Sequence, residues 1–117
     1  MSSVLLITTV VCAAANVFIA VADYARAPFV MANSAEVRLP PAAVPYLATL
    51  KLAGAAGLVA GLAGLHGLGL AAGVGLVAFF VGAVLAHVRA RVFHNIAFPG
   101  TYLLLAVAST GFFAGEL

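Results

Sequence analysis

Apolar residues fill positions 4–22, 44–65, 67–87 and 96–115 with very few polar interruptions. Each run approaches or exceeds the roughly 20 residues that a helix needs to cross the hydrocarbon of a bilayer. None of the runs alternates apolar with polar residues, as the strands of a membrane barrel do. The pattern therefore predicts helices. Lys51 is the one formal charge within the second run, and Pro99 breaks the fourth near its start. Between the first two runs lies a polar connection from Asp23 to Ala43 with Pro28, Pro40 and Pro41. Within it, Pro28 to Val37 predicts one short helix at the membrane surface, with Pro28 at its first position and Phe29, Val30 and Val37 touching the interface. The expected fold class is all-α, an integral membrane four-helix bundle formed as a single domain over residues 1–117, with a short interfacial segment between the first and second spans.

Composition agrees. Hydrophobic residues make up 66% of the 117-residue chain and charged residues 7%, and the mean hydropathy is +1.25, outside the range of soluble domains. Ala13, Ala14 and Ala15 resemble a signal-peptide cleavage site, but the N-terminal end carries no basic residue and three further spans follow. The first span is read as retained.

Charge sets the expected orientation. With four spans, the first and third connections share one side of the membrane, and they hold Arg26, Arg38, Arg89 and Arg91 against Asp23 and Glu36. The opposite side offers His66, Glu116 and the chain ends. Because Lys and Arg collect on the cytoplasmic face, the termini are expected outside. Arg89, Arg91 and His94 are most simply determinants of that orientation.

The same layout gathers polar side chains in one half of the bilayer. Asp23 ends the first span, Lys51 lies about two turns into the second, His87 ends the third, and Tyr102 lies about two turns into the fourth. Asn16 shares a helix face with Asp23, about 10 Å along the axis. Asn16, Asp23, Lys51, His87 and Tyr102 are the expected lining of one cytoplasm-facing, ligand-binding cavity. Lys51, Asp23 and His87 are the candidates if the protein is catalytic. A central lysine costs about 2.5 to 3.5 kcal/mol to insert. Val44, Leu47, Leu50, Leu52, Leu58, Val59, Leu62 and Leu65 together return about 2.4 to 4.8 kcal/mol on the same scale. The balance is close, so a carboxylate partner or snorkelling to the interface would make the charge easier to hold.

Each residue also has a plainer reading. Lys51 as an interfacial anchor, Asp23 as a helix-end residue, His87 as an interface marker, Tyr102 in an aromatic belt and Asn16 in an interhelical hydrogen bond stand beside the cavity reading. Other chemistries are excluded or disfavoured. The lone Cys12 excludes a disulfide or a cysteine-held cluster within one chain. No phosphate loop or dinucleotide fingerprint is present. His66, His87 and His94 lack metal-ligand spacing, so neither a metal nor another cofactor is expected, and topology explains the basic residues without nucleic acid. Gly57 and Gly61, Gly69 and Gly73, and Gly111 and Gly115 form small-xxx-small pairs expected to pack inside the bundle. Whether such a face also serves a homo-oligomer or a larger membrane complex stays open.

The run Phe29-Val-Met-Ala-Asn-Ser-Ala-Glu-Val-Arg-Leu-Pro-Pro, the segment Leu50-Lys-Leu-Ala-Gly-Ala-Ala-Gly-Leu and the third-span end Ala86-His-Val-Arg-Ala-Arg resemble the DoxX-like family of small bacterial membrane proteins. The resemblance covers nearly the whole chain. It implies a four-helix bundle in the bacterial inner membrane and a family named after a subunit linked to thiosulfate:quinone oxidoreduction. Many members carry an acidic residue where Lys51 stands. Three functional classes follow: binding of a lipophilic molecule, quinone-like or terpenoid, at the polar cavity; an intramembrane acid-base enzyme, an isomerase or cyclase of a lipophilic substrate; and a noncatalytic membrane subunit of a redox assembly. An ion transporter is a weaker fourth, since only one span carries a deep charge and no broken helix pair is evident.

Overall fold

The computed structural model describes residues 2–116 and consists, among them, of five α-helices and one short 3-10 turn, with no strand. The helices are α1 (Ser2–Tyr24), α2 (Pro28–Glu36), α3 (Val44–Leu62), α4 (His66–Arg89) and α5 (Ala97–Glu116), and the turn at Pro41–Ala43 leads into α3. Four of the five are long and apolar enough to span a membrane. The short interfacial segment expected from the sequence is α2, whose Pro28 takes the first helical position.

Packing follows the order α1, α3, α4, α5 around a square, with α1 and α5 closing the ring. Short connections make α3, α4 and α5 antiparallel neighbours, and the longer passage through α2 lets α3 pack beside α1. The bundle measures 39 Å along its longest axis, enough to cover the roughly 30 Å hydrocarbon layer. Between 22% and 33% of each span is buried within the chain. Side chains such as Ile7, Phe18 and Leu104 face outward, at 63%, 63% and 71% exposure. Such surface is untenable in water and ordinary in lipid. The core runs through Cys12, Ala13, Leu58, Leu76, Phe80, Ala106 and Phe113, and a second cluster of Ile19, Val30 and Val44 seats α2 on the bundle.

The glycine pairs divide in a way their spacing does not reveal. A Cβ at Gly61 would lie 2.6 Å from the Gly69 Cα and 2.7 Å from the Phe113 ring, so α3 and α4 touch backbone to backbone there with Phe113 laid across both. Gly57 and Gly73 are similarly closed by Ala72 and Thr110. Gly111 and Gly115 meet nothing within 4 Å. This pair packs outside the bundle core, against the expectation for it, because the face of α5 that carries it points away from the other helices.

Helix ends explain the span boundaries. The second apolar run ends at 65 and the third begins at 67, yet α3 stops at Leu62 and α4 starts at His66. Gly64 adopts φ 121° and closes the helix with the bonds Gly64 N–H to Gly61 O and Leu65 N–H to Ala60 O, the paired pattern of a Schellman end. The same pattern ends α1, α2 and α4, with Arg26, Arg38 and Arg91 in the left-handed position at φ 53°, 65° and 58°. All three lie on the side of the first and third connections. Their charge suits the negative ends of the helix dipoles, while a left-handed non-glycine residue costs roughly 1–2 kcal/mol. Arg91→Gly should therefore raise stability in neutral detergent by several tenths to about 1 kcal/mol, since the freer unfolded chain takes back part of the relief. Denaturant titration followed by circular dichroism checks it; a loss of stability would show that the arginine side chain matters more than its backbone.

Candidate functional site

Asp23 stands in the last turn of α1, where a negative charge meets the negative end of the helix dipole. It therefore needs a cation more than a carboxylate elsewhere would. Lys51, seven residues into α3, supplies one: its Nζ lies 2.5 Å from Asp23 Oδ2. Both residues are buried, with 8% and 4% of Lys51 and Asp23 exposed. The ammonium also lies 5.6 Å from the centre of the Phe79 ring, within reach of a cation-π contact. Beside the pair, on the outer surface, Tyr24 and Thr49 share a 2.6 Å hydrogen bond that ties the same turn of α1 to α3.

His87 closes the opposite wall from the last turn of α4, 4% exposed. Its Nδ1 lies 2.8 Å from the Ala83 carbonyl, one turn back, so that nitrogen carries a proton. Its Nε2 is 3.2 Å from the Asn33 side-chain oxygen, which also accepts from Asn95 Nδ2 at 2.7 Å. Two arrangements satisfy these distances. An imidazolium could donate from both nitrogens, or a half-turn of both amides would let Asn33 donate to His87 and to Asn95. In either, the chain of three side chains ties α2 to the end of α4 and to the connection before α5. In either, too, Asn95 keeps one buried amide atom without a partner.

Between these two polar walls lies a pocket of about 330 Å³. Asp23, Lys51, His87, Asn33, Ser34 and Asn95 give its polar lining, and Phe29, Phe79, Phe80, Phe98 and Tyr102 its aromatic walls. The Tyr102 ring stacks on Phe98 at 5.2 Å and 15°, while its hydroxyl donates to the Ala15 carbonyl at 3.0 Å. Tyr102 thus presents ring surface to the pocket and spends its hydroxyl on the α1 backbone.

Of the residues singled out from the sequence, Asp23, Lys51, His87 and Tyr102 are brought together and Asn16 is not. Asn16 is fully buried deeper in the bundle, donating to the Cys12 carbonyl at 2.9 Å, and it does not line the pocket. That bond is within α1, in place of the interhelical bond expected as its plainer role. Sequence reasoning missed Asn33, inside the predicted short helix, and Asn95, just before the fourth run, and also the 2.6 Å contact of His94 with Glu36 that pins the outer edge of α2. The one available signal was α2 itself: a short surface helix carrying both an amide and a carboxylate needs partners for them.

The arrangement offers a donor at Lys51, an acceptor at Asp23, and amide and imidazole groups across from them, all within aromatic walls. An ammonium held on a carboxylate is a proton donor, and cannot serve as a base until it gives that proton up. Known proteins bear on this geometry at the level of family. The model of the DoxX-like family matches residues 7–109. No curated protein and no solved structure matches the chain.

Proposed function

The chain belongs to the DoxX-like family, and from that premise and the pocket we propose that it binds a lipophilic small molecule, quinone-like or terpenoid, with its polar end at Lys51, Asp23 and His87. One observation carries the reading: an apolar, aromatic-walled pocket of about 330 Å³ holds a few convergent polar groups, the usual composition of a small-molecule site. The unpartnered Asn95 amide atom adds a further group: as the oxygen it would accept from a ligand's hydroxyl, and with the amide turned over it would donate to a ligand's carbonyl. Charge supports an orientation in a bacterial inner membrane with this pocket toward the cytoplasm and both termini outside, since Arg26, Arg38, Arg89 and Arg91 crowd the connections beside it.

Mass spectrometry of organic extracts from the purified protein tests the proposal. The expected result is one lipophilic species, near one per chain, that is lost from the Asp23→Asn/Lys51→Met double variant. An extract holding only bulk phospholipid would contradict it. The double variant is the fair comparison, because removing both partners together leaves no lone charge behind.

A further inference from the structure

We propose that a second, separate site on this protein binds the phosphate headgroup of an anionic phospholipid, between Arg38 and Arg89. A groove of about 360 Å³ lies there, lined by Val37, Arg38, Leu39, Ala86, Arg89 and Ala90. Two guanidinium-bearing residues from different elements, one just past α2 and one at the last residue of α4, line it together with small and aliphatic residues. That combination matches a phosphodiester joined to acyl chain, and Arg is the side chain best shaped to grip phosphate oxygens.

Three further observations support it. First, the carboxylates of these connections are already engaged, Asp23 by Lys51 and Glu36 by His94, and no ion pair holds either arginine among the described residues. Second, the groove opens where α4 reaches its end as a candidate span, the level at which headgroups meet the protein and basic pockets between helices take anionic lipid. Third, Arg38 occupies a left-handed position at φ 65° that favours glycine. Local backbone preference therefore does not account for an arginine there, and its charge, which the negative end of α2 also favours, is free to meet a phosphate.

The groove shares Val37, Leu39 and Ala86 with the wall of the ligand pocket. A headgroup bridging Arg38 and Arg89 would tie the end of α2 to α4 and brace that common wall. The site nonetheless stands on its own residues, and its test does not depend on what fills the pocket.

The test is thermal stabilisation of the full chain in neutral detergent on adding phosphatidylglycerol, phosphatidylcholine or inorganic phosphate. Variants are Arg38→Gln/Arg89→Gln, the charge-matched control Arg26→Gln/Arg91→Gln, and Arg38→Gly. Phosphatidylglycerol should stabilise the native protein saturably and phosphatidylcholine should not. Apparent affinity should fall roughly 5-fold for Arg38→Gly and ~30-fold for Arg38→Gln/Arg89→Gln, with little change in the control pair. Arg38→Gly relieves the backbone, so a loss of lipid response in that variant cannot be ascribed to poor folding. Equal losses in both double variants would overturn the proposal in favour of a diffuse basic surface. Equal response to phosphatidylcholine would overturn it as well, and stabilisation by inorganic phosphate alone would show a free-anion site in place of a lipid one.

Discussion

Asp23→Asn, with Lys51 left in place, should lower the stability of the bundle by about 3 to 5 kcal/mol. The side chains of the pair are 11% and 5% exposed, so the substitution strands a largely buried ammonium without its counter-charge. Replacing Lys51 by Met alone should cost a similar amount for the mirror reason. There the lone carboxylate is left at the negative end of α1. The Asp23→Asn/Lys51→Met double variant should recover most of the loss, because removing both charges also removes their desolvation cost. Unfolding in mixed micelles, followed by circular dichroism, gives all three values as a double-mutant cycle. Additive losses, or a harmless Asp23→Asn, would mean that the two charges are not coupled in the folded protein.

Gly61→Leu should be the most damaging change in the helix interfaces, costing about 3 kcal/mol or more, at the upper end of what overpacking does. The reason is local: an added Cβ already meets the Gly69 backbone and the Phe113 ring at under 3 Å, and the backbone atom cannot move aside without parting α3 from α4. Gly111→Leu should leave the isolated bundle within about 0.5 kcal/mol of the parent, as surface changes usually do. The contrast separates two roles that small-xxx-small spacing cannot distinguish. Should Gly111→Leu alter the size of the assembly extracted from membranes while leaving monomer stability intact, the reading as a noncatalytic subunit of a larger complex would gain its first direct support. Unchanged size in Gly111→Leu would remove that face from consideration.

The four spans were legible because the bilayer imposes a length that few other environments demand, and uninterrupted runs such as residues 4–22 can meet it only as helices. Lys51 was legible for the complementary reason: a charge in such a run must be held by something. Counting turns from each span end then placed Asp23, His87 and Tyr102 at the same depth, and the structure gathers them around one pocket. Depth is only one coordinate, however. Asn16 has its direction fixed by a bond to the Cys12 carbonyl, and seven residues of helix keep it too far down the bundle to reach the pocket. The Asn33–Asn95 contact joins positions 62 residues apart, and no local pattern encodes it. The left-handed arginines were equally silent, since a helix end of this kind is normally announced by glycine, as at Gly64 and not at Arg26, Arg38 or Arg91.

These features together describe a bundle closed by glycine contacts toward the α3–α4 turn and held open at its other end by aromatic rings and charged walls. α2 covers that end, seated by Ile19, Val30 and Val44 and fastened by Asn33 to His87 and by Glu36 to His94. The most direct measurement is nuclear cross-relaxation between the labelled rings of Phe79, Phe80, Phe98 and Tyr102 and whatever the protein carries out of its native membrane. Contacts from those rings to a single non-phospholipid molecule, lost in the Asp23→Asn/Lys51→Met variant, are what a lipophilic-ligand site requires. Contacts to detergent or phospholipid chains alone, the same in both proteins, would contradict it.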